Sequence, residues 1–208
     1  LYEEFEKHKI KNKRINIVKR NDTFNVAGHT IKTFPVMQSI ADGVGFAFGT
    51  DYGYVVYTSE FVFDYDFLNN AFSMDVNALS QMGEDGVLCL MSESTGATRD
   101  GYTAPKHRIS EHIEHYFETS DNRVIITLYR QNLFRIIEIL ELASKYKKKV
   151  YFYDKEHKKN PKMNSAGEAI FLPSLHNIFS REGLAKYKGT DNVLKLTIGC
   201  GGGVYKTV

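Results

Sequence analysis

Cysteine is nearly absent from this sequence. Two residues in 208, Cys89 and Cys200, are too few for a disulfide framework. Both sit in apolar or glycine-rich, strand-like stretches, so buried free thiols in a reducing compartment are expected. No run of about 18 apolar residues occurs, which excludes a membrane-spanning helix. No charged-then-apolar leader opens the chain, so nothing points to secretion, and a cytoplasmic location is expected. Neither sign of charge prevails: 27 Lys and Arg stand against 25 Asp and Glu, a formal +2. A field that weak leaves nucleic acid only a local basic patch to bind. Gly-x-Ser-x-Gly, His-Glu-x-x-His and Cys-x-x-Cys are all missing, which argues against a serine or cysteine hydrolase with its own triad in this stretch. The stretch holds too few metal ligands and catalytic groups to run a reaction by itself.

What is present suits one large or two small α/β domains with a sizeable core. Ile15–Lys19 and Thr30–Met37 are expected as strands around an Ala27-Gly28-His29 turn. Val44–Phe48 and Tyr54–Thr58 flank a second turn at Thr50–Gly53, and Phe61–Asp64 continues the strand-rich part. These imply an antiparallel sheet, covered on one face by a helix. Beyond it the pattern changes. Ser73–Gln81 reads as a helix ending at Gly83, Val87–Met91 as an apolar strand and Pro105–Glu118 as a helix. Val124–Leu128, Val150–Tyr153 and Val193–Ile198 read as strands. Asn132–Tyr146 is a strongly amphipathic helix with Ile136, Ile137, Ile139, Leu140 and Ala143 on its apolar side, and Arg181–Tyr187 is a further helical segment. Strand–helix–strand alternation implies a parallel sheet with right-handed crossovers. Two parts follow, 1–104 and 105–208. Leu1 in place of an initiator Met, and an end just after a strand and a glycine loop, are expected of an excerpt from a longer chain.

Several places offer chemistry, each with a plainer reading. Ser92-Glu93-Ser94-Thr95-Gly96 follows the strand ending at Met91, where α/β proteins usually put their sites, yet a simple turn with capping side chains fits as well. Glu60, after the strand ending at Thr58, is placed to ligate a metal or to be a solvated turn residue. His112 and His115 share one face of a helix and, with a third ligand, suit zinc; a solvated helix surface fits better, since the apolar stripe runs through Ile109, Ile113, Tyr116 and Phe117. Gly199-Cys200-Gly201-Gly202-Gly203 suits a phosphate cradle or a tight packed turn, and is no Walker loop. The basic runs Lys7–Arg14 and Lys145–Lys149 are phosphate contacts or solvated surface.

Taken together, four blocks in order resemble ribonuclease J, of the β-CASP group of metallo-β-lactamase-fold nucleases. Phe34-Pro35-Val36-Met37-Gln38-Ser39-Ile40-Ala41-Asp42-Gly43-Val44-Gly45 is similar to the family's Phe-rich strand and His-Ser-Ile-Pro-Asp-x-x-Gly. Thr58-Ser59-Glu60-Phe61-Val62-Phe63-Asp64 is similar to Thr-Gly-Asp-Phe-Lys-Phe-Asp. Ser92-Glu93-Ser94-Thr95-Gly96-Ala97, continued by Gly101-Tyr102-Thr103, is similar to Ser-Asp-Ser-Thr-Asn-Ala…Gly-Tyr-Thr, the most specific block. Strand Val193–Ile198 with Gly199-Cys200-Gly201-Gly202 is similar to a strand and Gly-Ser-Gln-Gly loop.

The resemblance implies half of a metallo-β-lactamase domain followed by most of a β-CASP domain that clamps RNA. It implies metal-dependent phosphodiester hydrolysis in RNA processing, on zinc or manganese. Most of the ligands would lie outside this stretch, in a His-x-His-x-Asp-His motif upstream and a last histidine downstream. Gln38 and Glu60 would be metal ligands from this stretch, with Glu60 catalytic and Glu93 orienting its neighbours. Asn132, Arg135, Gly199, Cys200 and Gly201 would contact RNA. The departures are as telling. Gln38 replaces a histidine, and an amide oxygen is a poor substitute for imidazole on zinc. Glu60 replaces a bridging aspartate, and its extra methylene displaces a bridge that must span metals about 3.5–4 Å apart. Phe134 replaces a histidine in the RNA-contacting segment, and Cys200 and Gly201 replace Ser and Gln. The expectation is therefore a ribonuclease J-like protein of weak or lost activity. It would assemble as a homo- or hetero-oligomer with an active paralogue and help to hold RNA. The alternatives are a metal-free RNA-binding scaffold and a hydrolase of another substrate on the same fold.

Overall fold

The computed structural model describes residues 5–6, 8–11, 15–101, 108–119, 123–129, 132–152, 164–165, 168–169, 178–179 and 193–198. The expected helix over Arg181–Tyr187 and the glycine loop of Gly199, Cys200 and Gly201 lie outside them, as does half of the Lys7–Arg14 run.

The chain is α/β. Five strands form the first sheet in sequence order: β1 (Thr23–Val26), β2 (His29–Pro35), β3 (Val44–Thr50), β4 (Gly53–Tyr57) and β5 (Val87–Met91). The pairs from β1 to β4 are antiparallel, and β5 lies parallel to β4. The connection between those two strands carries a 3-10 turn at Asn70–Phe72 and helix α1 (Val76–Asp85). Asp75 caps α1 by accepting the N–H of Ala78 (2.9 Å).

The turn before β2 corrects an expectation. Val26 pairs with His29, leaving Ala27 and Gly28 as a two-residue loop with φ of 51° and 87°. That double positive φ is the turn whose twist matches paired strands. A loop this short puts the partner strand immediately before it, so β1 is Thr23–Val26. Ile15–Lys19 forms no strand, and Ile17 stays exposed. Phe61–Asp64 forms no strand either; it runs as a loop, with the Val62 N–H bonded to Met37 O in the loop after β2. Helix α1 runs through Gly83 to Asp85 and ends at Gly86, since burial of Met82 beside Gly83 offsets the cost of an internal glycine.

The second sheet is parallel, as expected, in the order β10 (Ile178–Phe179), β7 (Lys149–Phe152), β11 (Val193–Ile198), β6 (Val124–Leu128). A short hairpin, β8 (Asn164–Ser165) with β9 (Glu168–Ala169), stands apart from it. Helices α2 (Ser110–Thr119) and α3 (Leu133–Lys145) pack on this sheet, where Phe117, Ile139, Leu140, Val150, Leu194 and Leu196 form one core. A second core lies beneath the first sheet, with Phe34, Val36, Ala47, Val56 and Met82. A third joins the loop after β2 to the start of α3, through Met37, Phe72, Leu133, Phe134 and Ile137. Helix α3 has apolar side chains nearly all round because it contributes to two of these cores.

Two burial expectations fail. Cys89 is an exposed free thiol, because all five residues of β5 are exposed on the open edge of the first sheet. Tyr116 is 59% exposed, so the inward stripe of α2 is Ile109, Ile113 and Phe117, spaced by four.

Candidate functional site

The sheet topology brings the loops after β2, β4 and β5 to one edge. Strand β3 returns antiparallel, pairing Pro35 with Val44 and Tyr57 with Phe46, so the carboxyl ends of β2 and β4 lie at the same end of the sheet, on either side of β3. Parallel β5 ends beside β4, Tyr57 against Met91. Three backbone bonds then tie the loops together. Thr58 N–H donates to Met91 O (3.1 Å), Val62 N–H to Met37 O (2.8 Å), and Phe134 N–H to Ser39 O (2.9 Å). The last bond adds the start of α3 to the group. Gln38, Glu60, Glu93, Asn132 and Arg135 therefore come from segments that meet at one edge, although they are up to 97 positions apart in the chain.

Their individual settings differ. Gln38 is half-buried, and its side chain lies over Gly43, where a Cβ would stand 2.3 Å from its Nε2. Glu60 is exposed and follows Ser59, whose φ of 59° is a left-handed conformation; the family's pattern has glycine there. Behind them, buried Asp64 accepts the N–H of Asp66 (2.9 Å). Glu93 accepts the N–H of Thr95 (2.6 Å), so its carboxylate caps its own loop. Asn132 caps α3 by accepting the N–H of Arg135 (3.0 Å).

The side chain that organises this region is one the sequence reading passed over. Glu138, 1% exposed in the middle of α3, accepts the N–H groups of Ile109 (2.7 Å) and Ser110 (2.9 Å) and the Ser110 hydroxyl (2.7 Å) on Oε1. It accepts Arg135 Nη1 on Oε2. Burial alone would push its carboxyl pKa up. The Ser110 hydroxyl, the Arg135 guanidinium and the Ser110 N–H outweigh that and hold it below the ordinary 4.5. The available signal was an acid inside an apolar run, four residues from both Phe134 and Leu142 and so on an inward face.

A metal fits these residues poorly. Among the described residues no three His, Cys, Asp or Glu side chains gather as a metal would need. His112 and His115 are exposed on α2. Glu93 already serves a backbone N–H, and Gln38 offers only an amide. A two-metal centre needs more oxygen and nitrogen donors than Gln38 and Glu60 supply. The Lys145–Lys149 run is open only in part: Lys145 pairs with Glu114 but stays exposed, Lys147 is exposed, and Lys148 is buried over the Phe117 ring (5.8 Å).

Comparison with known proteins adds identity to this geometry. Over 122 residues the chain is 38% identical to "Ribonuclease J 2" of Staphylococcus aureus (strain NCTC 8325 / PS 47), covering 59% of this chain and 22% of that protein. Over 139 residues it is 34% identical to "Ribonuclease J 2" of Staphylococcus saprophyticus, covering 67% of this chain and 25% of that protein. The chain is ribonuclease J-like. It spans about a quarter of the length of these curated relatives. No family model matches the sequence. A crystal structure of a protein of unknown function from Enterococcus faecalis V583 shares the fold of the ribonuclease J-like chain. Its TM-score is 0.57 at 12% identity, over 92% of this chain and 46% of that one. Among the described residues no helix is long and apolar enough to cross a membrane.

Proposed function

We propose that this chain is the middle of a ribonuclease J-like RNA-processing protein whose metal-dependent phosphodiester hydrolysis is weak or lost. Residues 1–104 belong to a metallo-β-lactamase-like part and 105–208 to a β-CASP-like part. The chain holds RNA where its loops converge and works in the cytoplasm in an oligomer with an active paralogous nuclease. The donor set at that convergence carries this reading: an amide at Gln38 and an overlong, exposed carboxylate at Glu60 stand where the family has a histidine and a bridging aspartate. Loss of ligands costs more than the roughly 10–100-fold in metal affinity that changes in a supporting shell cost. RNA is assigned to Asn132 and Arg135 at the start of α3, and to Gly199, Cys200 and Gly201.

The test uses the full-length protein. Metal content is measured, followed by turnover of 5′-monophosphorylated RNA with manganese and by RNA affinity against salt. The expected result is little bound zinc or manganese, slow turnover, and affinity that falls with salt at a log–log slope of about −0.7 per phosphate contact. Restoring the family's ligands with Gln38→His and Glu60→Asp together raises metal affinity more than about tenfold. Stoichiometric metal with fast turnover in the parent protein refutes the weakened centre. RNA affinity that ignores salt refutes the RNA-holding role.

A further inference from the structure

Glu138 ties together three segments that the chain order keeps apart. Its Oε1 caps the start of α2 through Ile109 and Ser110, and its Oε2 takes Arg135 of α3. Arg108, just before α2, places Nε 3.6 Å from the same carboxylate and Nη1 3.5 Å from Asp66, in the loop after β4. One fully buried carboxylate thus holds the Arg135 guanidinium in a hydrogen-bonded ion pair and has the Arg108 guanidinium nearby, beside the edge where the loops converge. Both arginines reach solvent, with side chains 16% and 29% exposed for Arg135 and Arg108. Asp66 and Glu141 also place carboxylates near Arg108, so what Glu138 supplies here is orientation and not net positive charge.

We infer that Glu138 is a positioning residue for RNA: it sets Arg135, with Arg108 beside it, to meet the phosphate backbone. The inference rests on the RNA-holding reading above. A guanidinium already held in one rotamer surrenders less freedom on meeting a phosphate, and its planar fork suits that geometry. A carboxylate serves this purpose better than an amide. Glutamine at 138 keeps an oxygen for the Ile109 and Ser110 N–H groups but turns an NH2 toward Arg135.

The experiment is a mutant cycle on the full chain, read as affinity for single-stranded RNA against salt. Glu138→Gln is expected to weaken binding about tenfold and to flatten the salt slope by about 0.7, one phosphate contact. In an Arg135→Gln background the same change adds little, because the residue through which it acts is gone. Ser110→Ala removes a bond to the same carboxylate on its structural side. It is expected to lower the melting temperature and leave the slope unchanged. If Glu138→Gln does not fold, Glu138→Asp, charged but a methylene short of Arg135, takes its place in the cycle. Additive losses, or an unchanged slope in Glu138→Gln, overturn the positioning role. An unchanged slope in Arg135→Gln itself overturns the RNA reading beneath it.

Discussion

Alanine at position 45 would overfill the core beneath the first sheet. Gly45 faces Phe34 across the β2–β3 ladder, and the ring lies over the glycine. A Cβ there would stand 2.3 Å from Cζ, 2.5 Å from Cε2 and 2.9 Å from Cε1 of that ring. Ordinary contact begins near 3.4 Å, so the ring must retreat by about 1.1 Å. It has nowhere to go: Phe34 is 1% exposed and packed among Val36, Ala47, Val56 and Met82. Overpacking costs about 1–3 kcal/mol, and a rigid buried ring puts this case near the top. Alanine returns roughly 0.5 kcal/mol by restricting the unfolded chain, leaving a net loss of about 2–2.5 kcal/mol. At this chain length that lowers the melting temperature by about 4–10 °C, measured by calorimetry or circular dichroism. Gly43→Ala is the control. Its Cβ would also lie 2.3 Å from a neighbour, but that neighbour is the half-buried, flexible end of Gln38, so the loss stays under about 1 kcal/mol. Phe34→Leu in the Gly45→Ala background recovers part of the loss. A melting point for Gly45→Ala within about 1 °C of the parent, or equal losses at 43 and 45, would refute the reasoning.

Other expectations follow from single residues. Glu138 has a depressed carboxyl pKa in the fold, so its contribution is present above pH 4.5 and disappears as pH falls through its folded value; melting of Glu138→Gln measured from pH 3 to 7 is flatter below 4.5 than that of the parent. Glu141 has the opposite sign. Burial raises its pKa, so the charged form costs stability at neutral pH, and Glu141→Gln is at least as stable as the parent at pH 7. Ser59→Gly relieves a left-handed φ of 59° and raises stability by up to about 1 kcal/mol; a lower melting point would argue that the serine hydroxyl matters more than its backbone. Cys89 is exposed, so the native protein has a thiol that reacts with a disulfide reagent without denaturant, and Cys89→Ser removes it.

Much of the fold was legible because local chemistry and global structure agree. The Gly28 turn, the alternating strands β3 and β4, the amphipathic α3 and the parallel second sheet all follow from short-range spacing. The failures share a cause. Phe61–Asp64 has the alternation of a strand, but its Val62 N–H is taken by Met37 O of the loop after β2, a partner far off in the sequence, and no ladder forms. Cys89 has strand-like apolar neighbours, but burial depends on what covers the sheet edge. For the site, the residue types at 38, 60 and 93 and their motif spacing were readable in one dimension. Their settings were not: Glu93 bends back to cap its own turn, and Arg135 is clamped on an acid three residues further along its helix.

The order of residues determined the strands, the helices and the identity of the groups available at each loop, since these depend on periodicity, turn propensity and side-chain chemistry within a few neighbours. Tertiary structure alone decided that loops up to 97 positions apart meet at one edge, and that Glu138 gathers two arginines and a helix start. Long-range partners are chosen by burial. A charge inside the core must find its hydrogen bonds wherever the packed chain brings donors to it.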